Sequence, residues 1–395
     1  MNWGTIRFGD LYSTESRNGL TKPSKIRGSG YKMINMGELF ANDRIYDIPM
    51  ELAPLKDTEK INAKIEIGDL LFARQSLVLE GAGKCSIVME VSPLTVFESH
   101  LIRVRLDRKR ALPMFYYYYF KSPLSPMASI VSQCAQAGIR GSDLQELNVI
   151  FPPLYIQNKI AQILSYYDDL IENNQKQIKL LEEAAQRLYK EWFVDLHFPG
   201  HETTPIVDGV PEGWKEQSLY QIADVVMGQS PKSEYYNQVG EGLPFHQGVG
   251  SYGNRFVSDE TYSTSFTRIA EAGSILFSVR APVGRLNLTK NKVVIGRGLA
   301  AINHRRGAQS YLFYLLKEKF FRDDIIGNGS IFASISKEEL LNQTFLIPID
   351  SLVGQFNGIA GGIDKKIDIL SEQIRLLTEA RNRLLPKLMS GELEV

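Results

Sequence analysis

The sequence is poor in features that define several protein classes. It has only two cysteines, Cys85 and Cys134, both in the first half and without counterparts in the second. This excludes a repeated disulfide or zinc site and favours a reduced, cytoplasmic compartment. No apolar run is long enough to span a membrane, and the first residues lack the apolar segment of a signal peptide. Lys plus Arg and Asp plus Glu both number 45; this argues against a dominant basic field but permits a local nucleic-acid-binding face.

Signatures of catalysis and cofactor binding are also missing from the sequence. There is no phosphate-binding loop, and the glycine pairs at 28–30 and 296–298 lack the third glycine and the helix of a dinucleotide site. The segment "FPPL" at 151–154 lacks the asparagine and the aromatic residue of an amino-methyltransferase site, and is better interpreted as the start of a helix. The five histidines show no metal-ligand spacing. We therefore expect neither a catalytic residue nor a metal site.

What the chain does contain is an internal repeat. Residues 143–192 and 339–388 share one pattern, in which Pro348 follows Pro152 by 196 residues. Each copy follows a glycine-containing segment of short predicted strands, and these segments share anchors: Trp3 aligns with Trp214, Asn35 with Gln247 and Arg74 with Arg280. The repeat predicts a first globule at 1–150, a first long helix at 151–198, a second globule at 199–345 with a linker at 199–213, a second long helix at 346–390 and a tail at 391–395. Such pseudo-two-fold symmetry suits a target with two half-sites.

The two repeated segments have apolar residues every three or four positions, which predicts two long helices of about 40 residues, roughly 60 Å each. Chain order makes them antiparallel, and we expect a two-helix coiled coil. Asn174 stands where the second copy has Leu370, so a buried amide could fix the register. Asp168 and Asp169 are expected on a solvated face. The alternative interpretation is a pair of ordinary core helices within one domain.

Four aromatic residues on or beside the first stripe suggest a further role for the helices. The four residues are Tyr166, Tyr167, Trp192 and Phe193. They are candidates for docking the helices of a partner protein, although some of them could instead pack under the globules.

Each globule is predicted to be α/β (α+β), with short strands that end in polar loops. The run from Tyr116 to Tyr119 is interpreted as core rather than as a base-stacking surface, because one helix cannot expose four consecutive rings on one face. The loop residues have side chains that pair with base edges or hold phosphates, although a lone surface arginine is most often only solvated. The candidate DNA contacts are Asn35, Arg74, Gln75, Ser76, Lys84, Gln136, Arg140, Gln247, Arg280, Arg285, Arg297, Asn328 and Ser330.

Five segments resemble one family over nearly the whole chain. They are "LNVIFPPLYIQNKIAQIL" (147–164), "GVPEGWKEQSL" (209–219), "GQSPKSEYYNQVGEGLPFHQG" (228–248), "AGSILFSVRAPVGR" (272–285) and "RNRLLPKLMSGELEV" (381–395). The chain resembles the DNA-specificity (S) subunit of type I restriction-modification systems, which serve host defence. The first globule follows the pattern less closely, since "QSLVLEGAGKC" (75–85) stands where the second has "APVGR".

The resemblance implies two target-recognition domains, each of which reads one half of a bipartite, asymmetric DNA site. It also implies that the helices set the spacing and dock two methyltransferase (M) subunits, in a bacterial or archaeal cytoplasm. S-adenosylmethionine would come with those subunits, and ATP and magnesium with motor-nuclease (R) subunits; the chain itself would bind no cofactor and would be non-catalytic. The alternatives are a stand-alone DNA methyltransferase or nuclease, the specificity subunit of a methylation-only system, and a purely structural coiled-coil spacer.

Overall fold

The structure is a computed structural model that describes residues 3–133, 137–320 and 334–395. The chain divides into two compact units: the first contains residues 1–174 and 373–395, and the second contains residues 175–372. This division differs from the predicted domain boundaries, which gave each long helix a segment of its own. The reason is that each unit buries part of both helices in its own core.

The long helices begin and end close to the predicted positions. The α-helices of the described residues are α1 (Met36–Ala41), α2 (Asp57–Asn62), α3 (Pro113–Lys121), α4 (Gly141–Glu146), α5 (Leu154–Phe193), α6 (Leu219–Ile222), α7 (Gln309–Phe320), α8 (Lys337–Leu341) and α9 (Asp350–Ser390). Short 3-10 turns cover Phe8–Leu11, Ser24–Ile26, Leu79–Gly81, Pro126–Ser129, His201–Thr203, Ser233–Tyr235 and Val249–Ser251. Helix α5 starts directly after Pro152 and Pro153, as predicted, because proline is tolerated at a helix start and disrupts a helix interior.

Short strands form several sheets in the first unit. They are β1 (Thr5–Arg7), β2 (Tyr12–Asn18), β3 (Tyr31–Ile34), β4 (Arg44–Ile45), β5 (Leu52–Ala53), β6 (Leu70–Ala73), β7 (Gln75–Ser76), β8 (Cys85–Val88), β9 (Thr95–Phe97), β10 (Leu101–Leu106), β11 (Ser132–Gln133), β12 (Ala137–Gly138) and β13 (Asn148–Ile150). The largest sheet has the order β2-β10-β6-β8-β4, and the smaller ones have the orders β5-β3-β9, β11-β12-β7 and β1-β13.

The second unit repeats this arrangement. Its strands are β14 (Ile206–Val207), β15 (Val210–Pro211), β16 (Lys215–Ser218), β17 (Ala223–Met227), β18 (Tyr236–Asn237), β19 (Leu243–His246), β20 (Tyr262–Ser263), β21 (Ile269–Ala270), β22 (Ile275–Ser278), β23 (Leu286–Leu288), β24 (Val293–Ile295), β25 (Leu299–His304) and β26 (Thr344–Ile347). The order β17-β25-β22-β23 matches β2-β10-β6-β8. The register matches too, since Leu101 pairs with Ala73 and Leu299 pairs with Ser278. The repeat inferred from sequence is therefore a repeat of topology.

The aromatic helices α3 and α7 form the centre of each core. Tyr116, Tyr117, Tyr118 and Tyr119 are all buried, which confirms the interpretation of this run as core. The hydroxyl of Tyr118 donates a hydrogen bond to Asp168 of α5 at 2.7 Å. At the equivalent places of the second unit, the Tyr314 hydroxyl donates to Asp364 of α9 at 3.2 Å. Asp168 is thus buried, and the expectation that it lies on a solvated face is wrong, because a tyrosine and Arg381 surround it.

Within each unit, α5 and α9 run antiparallel. In the first unit, Asn174 pairs with Gln373 and Asp168 with Arg381, so numbers rise along one helix as they fall along the other. In the second unit, the Trp192 and Phe356 ring centroids are 6.1 Å apart. The helices pair as predicted, and they also serve as core helices of the two units, so the two interpretations of these segments are complementary.

Candidate nucleic-acid interface

In the first unit, two loops that are far apart in sequence form one surface. Strand β7 pairs with β12 in antiparallel register, Gln75 opposite Gly138 and Ser76 opposite Ala137. The Ile139 amide donates to the Arg74 carbonyl oxygen at 2.9 Å, and the exposed Arg140 is the next residue. The structure therefore brings Arg74, Gln75, Ser76 and Arg140 together. Gln136 lies outside the described residues.

Two other candidates in this unit already have structural partners. Asn35 caps α1, and its side-chain oxygen accepts a hydrogen bond from Arg27 at 3.0 Å. The Lys84 ammonium donates to the Phe40 carbonyl oxygen at 2.8 Å and lies 3.4 Å from the Asp43 carboxylate. Both side chains therefore contribute to folding, and their role as DNA contacts needs these bonds to open or to be shared.

The charge of Lys84 is partly balanced by Asp43, a carboxylate that it shares with Lys121. Burial by itself would raise the pKa of the Asp43 carboxyl group, but the charges and hydrogen bonds of Lys121 and Lys84 outweigh that effect and lower it. Asp43 is consequently a stable anion between two lysines, with Lys121 at 2.5 Å. Among the first unit's candidates, the exposed Arg140 is better placed than Lys84 to offer an unbalanced positive charge.

In the second unit, three glycine-containing turns converge on Gln247. The Ser230 hydroxyl donates to the Gln247 side-chain oxygen at 2.8 Å and accepts from the Arg297 amide at 3.2 Å. The Gly298 amide donates to the Gln247 carbonyl oxygen at 3.1 Å. A Cβ atom at Gly298 would lie 2.6 Å from the Gln247 carbonyl oxygen, so the absence of a side chain at this glycine permits the close approach.

Arginines surround this convergence. The Val279 amide donates to the Gly298 carbonyl oxygen at 2.9 Å, which places the exposed Arg280 beside the exposed Arg297 turn. Arg285 is half-buried, and its amide donates to the Ser278 hydroxyl at 2.8 Å. Gln247, Arg280, Arg285 and Arg297 therefore belong to one region of the unit. Asn328 and Ser330 lie outside the described residues.

A buried histidine supports this region, and sequence reasoning missed it. His246 is 1% exposed, with Nδ1 at 2.9 Å from the Ser251 hydroxyl and Nε2 at 3.1 Å from the Asp259 carboxylate. The hydrogen bond from His246 lowers the pKa of the Asp259 carboxyl group. Because Gln247 is the next residue, this network fixes the backbone that presents it. The available signal was the position of His246 at the end of an apolar strand, directly before Gln247.

The four aromatic residues proposed for partner docking have different environments. Tyr166 is 62% exposed and Tyr167 is half-buried. Trp192 is only 9% exposed, and Phe193 packs with ring centroids 5.2 Å from Phe356 and 6.1 Å from Trp214. The docking assignment is therefore corrected for Trp192 and Phe193, which pack under the second globule because its aromatic core covers this end of α5.

In the described parts of the chain, neither a group of metal-binding side chains nor a membrane-spanning helix is present. Over residues 3–133, 137–320 and 334–395, His, Cys, Asp and Glu side chains form no group of three or more that could hold a metal ion. Within the same residues, every helix is too short or too polar to cross a membrane.

Comparison with known families agrees with this geometry. The model of the type I restriction modification DNA specificity domain matches residues 1–183 and 211–381, one match in each half of the repeat. The chain belongs to this family. Its two matches are two DNA specificity domains of the type I restriction-modification family, as the sequence resemblance indicated.

Full-length relatives of this specificity chain occur in Methanocaldococcus jannaschii. A protein that carries the name of the MjaX type I restriction enzyme specificity subunit is 29% identical over 411 residues, covering 100% of this chain and 94% of that protein. The MjaIX specificity subunit is 26% identical over 416 residues, with the same coverage. The crystal structure of a type I restriction-modification S subunit from M. genitalium superposes with a TM-score of 0.60 over 98% of this chain and 96% of that one, at 16% identity. At this sequence identity, the similarity shows a shared fold.

Proposed function

We propose that each globule of this specificity chain reads one half of a bipartite, asymmetric DNA site. The observation that carries the proposal is the duplicated polar surface. In both units, an arginine follows the same core strand, Arg74 after β6 and Arg280 after β22. Each arginine has a side-chain amide nearby of the kind that pairs with base edges in the major groove. Gln75 directly follows Arg74, and Gln247 lies across the Gly298 turn from the residue before Arg280, so the two amides come from different positions of the repeat. Two similar surfaces on a repeated scaffold suit two half-sites better than one continuous site.

Exposed apolar residues on the long helices support docking of methyltransferase subunits. Tyr166 and Leu170 lie one turn apart on α5, and both are exposed. In the antiparallel register set by Asn174 and Gln373, the exposed Leu376 of α9 lies nearly level with Leu170. Exposed apolar side chains on a helix pair are suitable contacts for helices of another protein. We also propose that the helices set the spacing between the two half-sites.

The chemistry of the complex is assigned to partner subunits. We propose that two methyltransferase subunits supply S-adenosylmethionine and modify the DNA, and that motor-nuclease subunits supply ATP and magnesium chemistry. The support is the absence from this sequence of a phosphate-binding loop and of a dinucleotide fingerprint. The chain itself is then non-catalytic, and its DNA contacts determine which sequence the partners modify.

Reconstitution with a cognate methyltransferase subunit tests this proposal. Methylome sequencing of cells that express both proteins should show one bipartite motif with a fixed spacer, and cells that express either protein alone should show none. Methylation by the chain alone, with binding of S-adenosylmethionine in the absence of partners, would establish a stand-alone methyltransferase instead.

A further inference from the structure

A surface cavity in the first unit lies among the candidate DNA contacts and has a largely apolar lining. It measures about 350 Å³ and is lined by Met36, Phe40, Gln75, Ser76, Leu77 and His100. Leu77 is 88% exposed, and Val78 and Leu79 after it are exposed as well. Leaving such side chains in water forgoes the free energy of their burial. Three exposed apolar residues in succession, directly after a polar strand, indicate a contact surface.

The apolar side of the cavity is held in place by contacts that need no ligand. The Lys84 ammonium donates to the Phe40 carbonyl oxygen and lies 5.4 Å from the centre of the Phe40 ring. The Met36 amide donates to the Glu98 carboxylate at 2.6 Å. A Cβ atom at Gly81 would lie 3.2 Å from the Phe40 ring, so the backbone of the loop closes against it. A preformed cavity of this kind costs little free energy to order on binding.

The cavity combines this apolar surface with the side-chain amide of Gln75, a donor and an acceptor at once. The backbone of Gln75 is fixed by the pairing of β7 with β12, opposite Gly138. In duplex DNA, the major-groove edge of an A·T pair presents a matching combination. Adenine offers N7 as an acceptor and the N6 amino group as a donor, which suit a glutamine amide, and thymine adds a 5-methyl group.

We propose that Leu77, with Phe40 and Met36, forms a subsite for the 5-methyl group of a thymine in the first half-site, and that Gln75 reads the adenine of that pair. The inference rests on the proposed function, since it assigns a base to one of the two reading surfaces. The proposed subsite belongs to the first globule alone, so the two globules would differ in the bases that they read. The second one has "APVGR" at the place of this loop, where Val283 is half-buried and Arg285 follows.

Single replacement of thymine by deoxyuracil tests the subsite, because deoxyuracil lacks only the methyl group. The full chain is assembled with its methyltransferase partner, and binding is measured by fluorescence anisotropy on duplexes in which each thymine of the methylated motif is replaced in turn. At one thymine of one half-site, the wild-type complex should lose about fourfold in affinity, the amount expected for burial of one methyl or methylene group.

Variants of two highly exposed apolar residues make the test specific. Leu77→Ala should bind the thymine duplex about fourfold more weakly than wild type and should no longer distinguish thymine from uracil at that position. Leu77→Met keeps an apolar side chain and should keep the distinction. Ile61→Ala is the control: Ile61 lies on α2, is 78% exposed and does not line the cavity, so this variant should behave like wild type.

Two results would overturn the subsite: an undiminished uracil penalty in Leu77→Ala, or the absence of a penalty at every thymine in wild type. If Leu77→Ala loses the methyltransferase subunit but keeps its DNA selectivity, the loop that carries Leu77 contacts the protein partner. That result also rejects the subsite. Failure of the wild-type complex to select any sequence would reject the proposed function itself. That result differs from selective binding without uracil discrimination.

Discussion

The side-chain amide of Asn174 on α5 donates a hydrogen bond to the side-chain oxygen of Gln373 on α9, at a distance of 3.2 Å. The two residues are 199 positions apart, and Asn174 is only 7% exposed. The equivalent position of the repeat holds Leu370, which is buried. A buried amide between two paired helices favours one register of the pair, at a cost in stability.

Asn174→Leu should therefore stabilise the chain. Leucine fills the position with an apolar side chain, as Leu370 does in the repeat, and Gln373 is exposed and can bond to water instead. We expect the free energy of unfolding in urea to rise by about 1 kcal/mol. The reciprocal change Leu370→Asn is the matched control and should lower it by about 2–3 kcal/mol, because it buries an amide at a fully apolar position. If Asn174→Leu instead lowers the free energy of unfolding, the buried amide stabilises the fold as well as fixing the register.

A second prediction concerns the buried arginine that joins the second globule to both helices. Arg255 pairs with Asp364 of α9, lies 3.7 Å from Glu182 of α5, and stacks 3.9 Å from the centre of the Phe313 ring. Arg255→Ala removes a buried cation and leaves the half-buried Asp364 carboxylate without its ion-pair partner, and it should lower the free energy of unfolding by about 3 kcal/mol.

Arg306→Ala is the matched control for this change. Arg306 pairs with another carboxylate of α9, Asp350, at 2.5 Å, but both side chains are exposed. Solvent screening limits the contribution of such a pair to less than about 1 kcal/mol. If the same urea titration shows equal losses of unfolding free energy in Arg255→Ala and Arg306→Ala, burial does not strengthen the Arg255 ion pair.

A third prediction addresses DNA binding by Arg280. If its guanidinium group pairs with a guanine, Arg280→Ala should weaken binding by about 1–3 kcal/mol and relax one position of one half-site. If it holds a phosphate, binding should weaken for all sequences, and the dependence on salt should become shallower. Titrations at two salt concentrations separate these results.

Arg305→Ala provides the control for Arg280. The Gly298 turn precedes strand β25, whereas Arg305 follows the other end of that strand. The Arg305 side chain pairs with Asp224 at 3.1 Å. Its removal should leave DNA affinity unchanged at both salt concentrations. If Arg280→Ala also leaves affinity unchanged and instead lowers the melting temperature, Arg280 belongs to the folding of the globule.

A fourth prediction follows from the His246–Asp259 pair. The hydrogen bond from His246 lowers the pKa of the Asp259 carboxyl group below its ordinary value of 3.8. A carboxyl group with a lowered pKa in the folded state adds stability above its unfolded pKa and loses that contribution as the pH falls through its folded pKa.

Asp259→Asn should therefore be less stable than wild type near neutral pH, and the gap should narrow as the pH falls below about 4. Urea denaturation at about pH 6 and about pH 3 measures the gap. Glu260→Gln, an adjacent exposed carboxylate, should show a smaller change with pH. A gap for Asp259→Asn that stays constant across this range would refute the linkage.

The parts of the fold that could be predicted are those set by local patterns. The spacing of apolar residues determines the face of a long helix, so the sequence predicts α5, α9 and their antiparallel pairing. The repeat predicts that the two globules share a topology. The fate of Trp192 and Phe193 could not be predicted, because an apolar side chain at the end of a stripe can face a partner or the chain's own core. Only the tertiary structure shows that Phe356 and Trp214 cover them.

The candidate site shows the same division. Residue type and position at the ends of strands indicated Arg74, Gln75, Gln247 and Arg280. The partners that hold such residues are distant in sequence: Ser230 lies 17 residues before Gln247 and 67 before Arg297. The balancing of Lys84 by Asp43 likewise depends on a long-range contact. Sequence patterns therefore identify candidate side chains, and the fold decides which of them remain available.

The most direct test of the account is exchange of residues 205–345 for the equivalent part of a related specificity chain, followed by methylome sequencing. Independent reading by two globules predicts that one half of the methylated motif changes while the other half and the spacer length stay the same. Changes in both halves, or an unchanged motif, would contradict the assignment of one half-site to each globule.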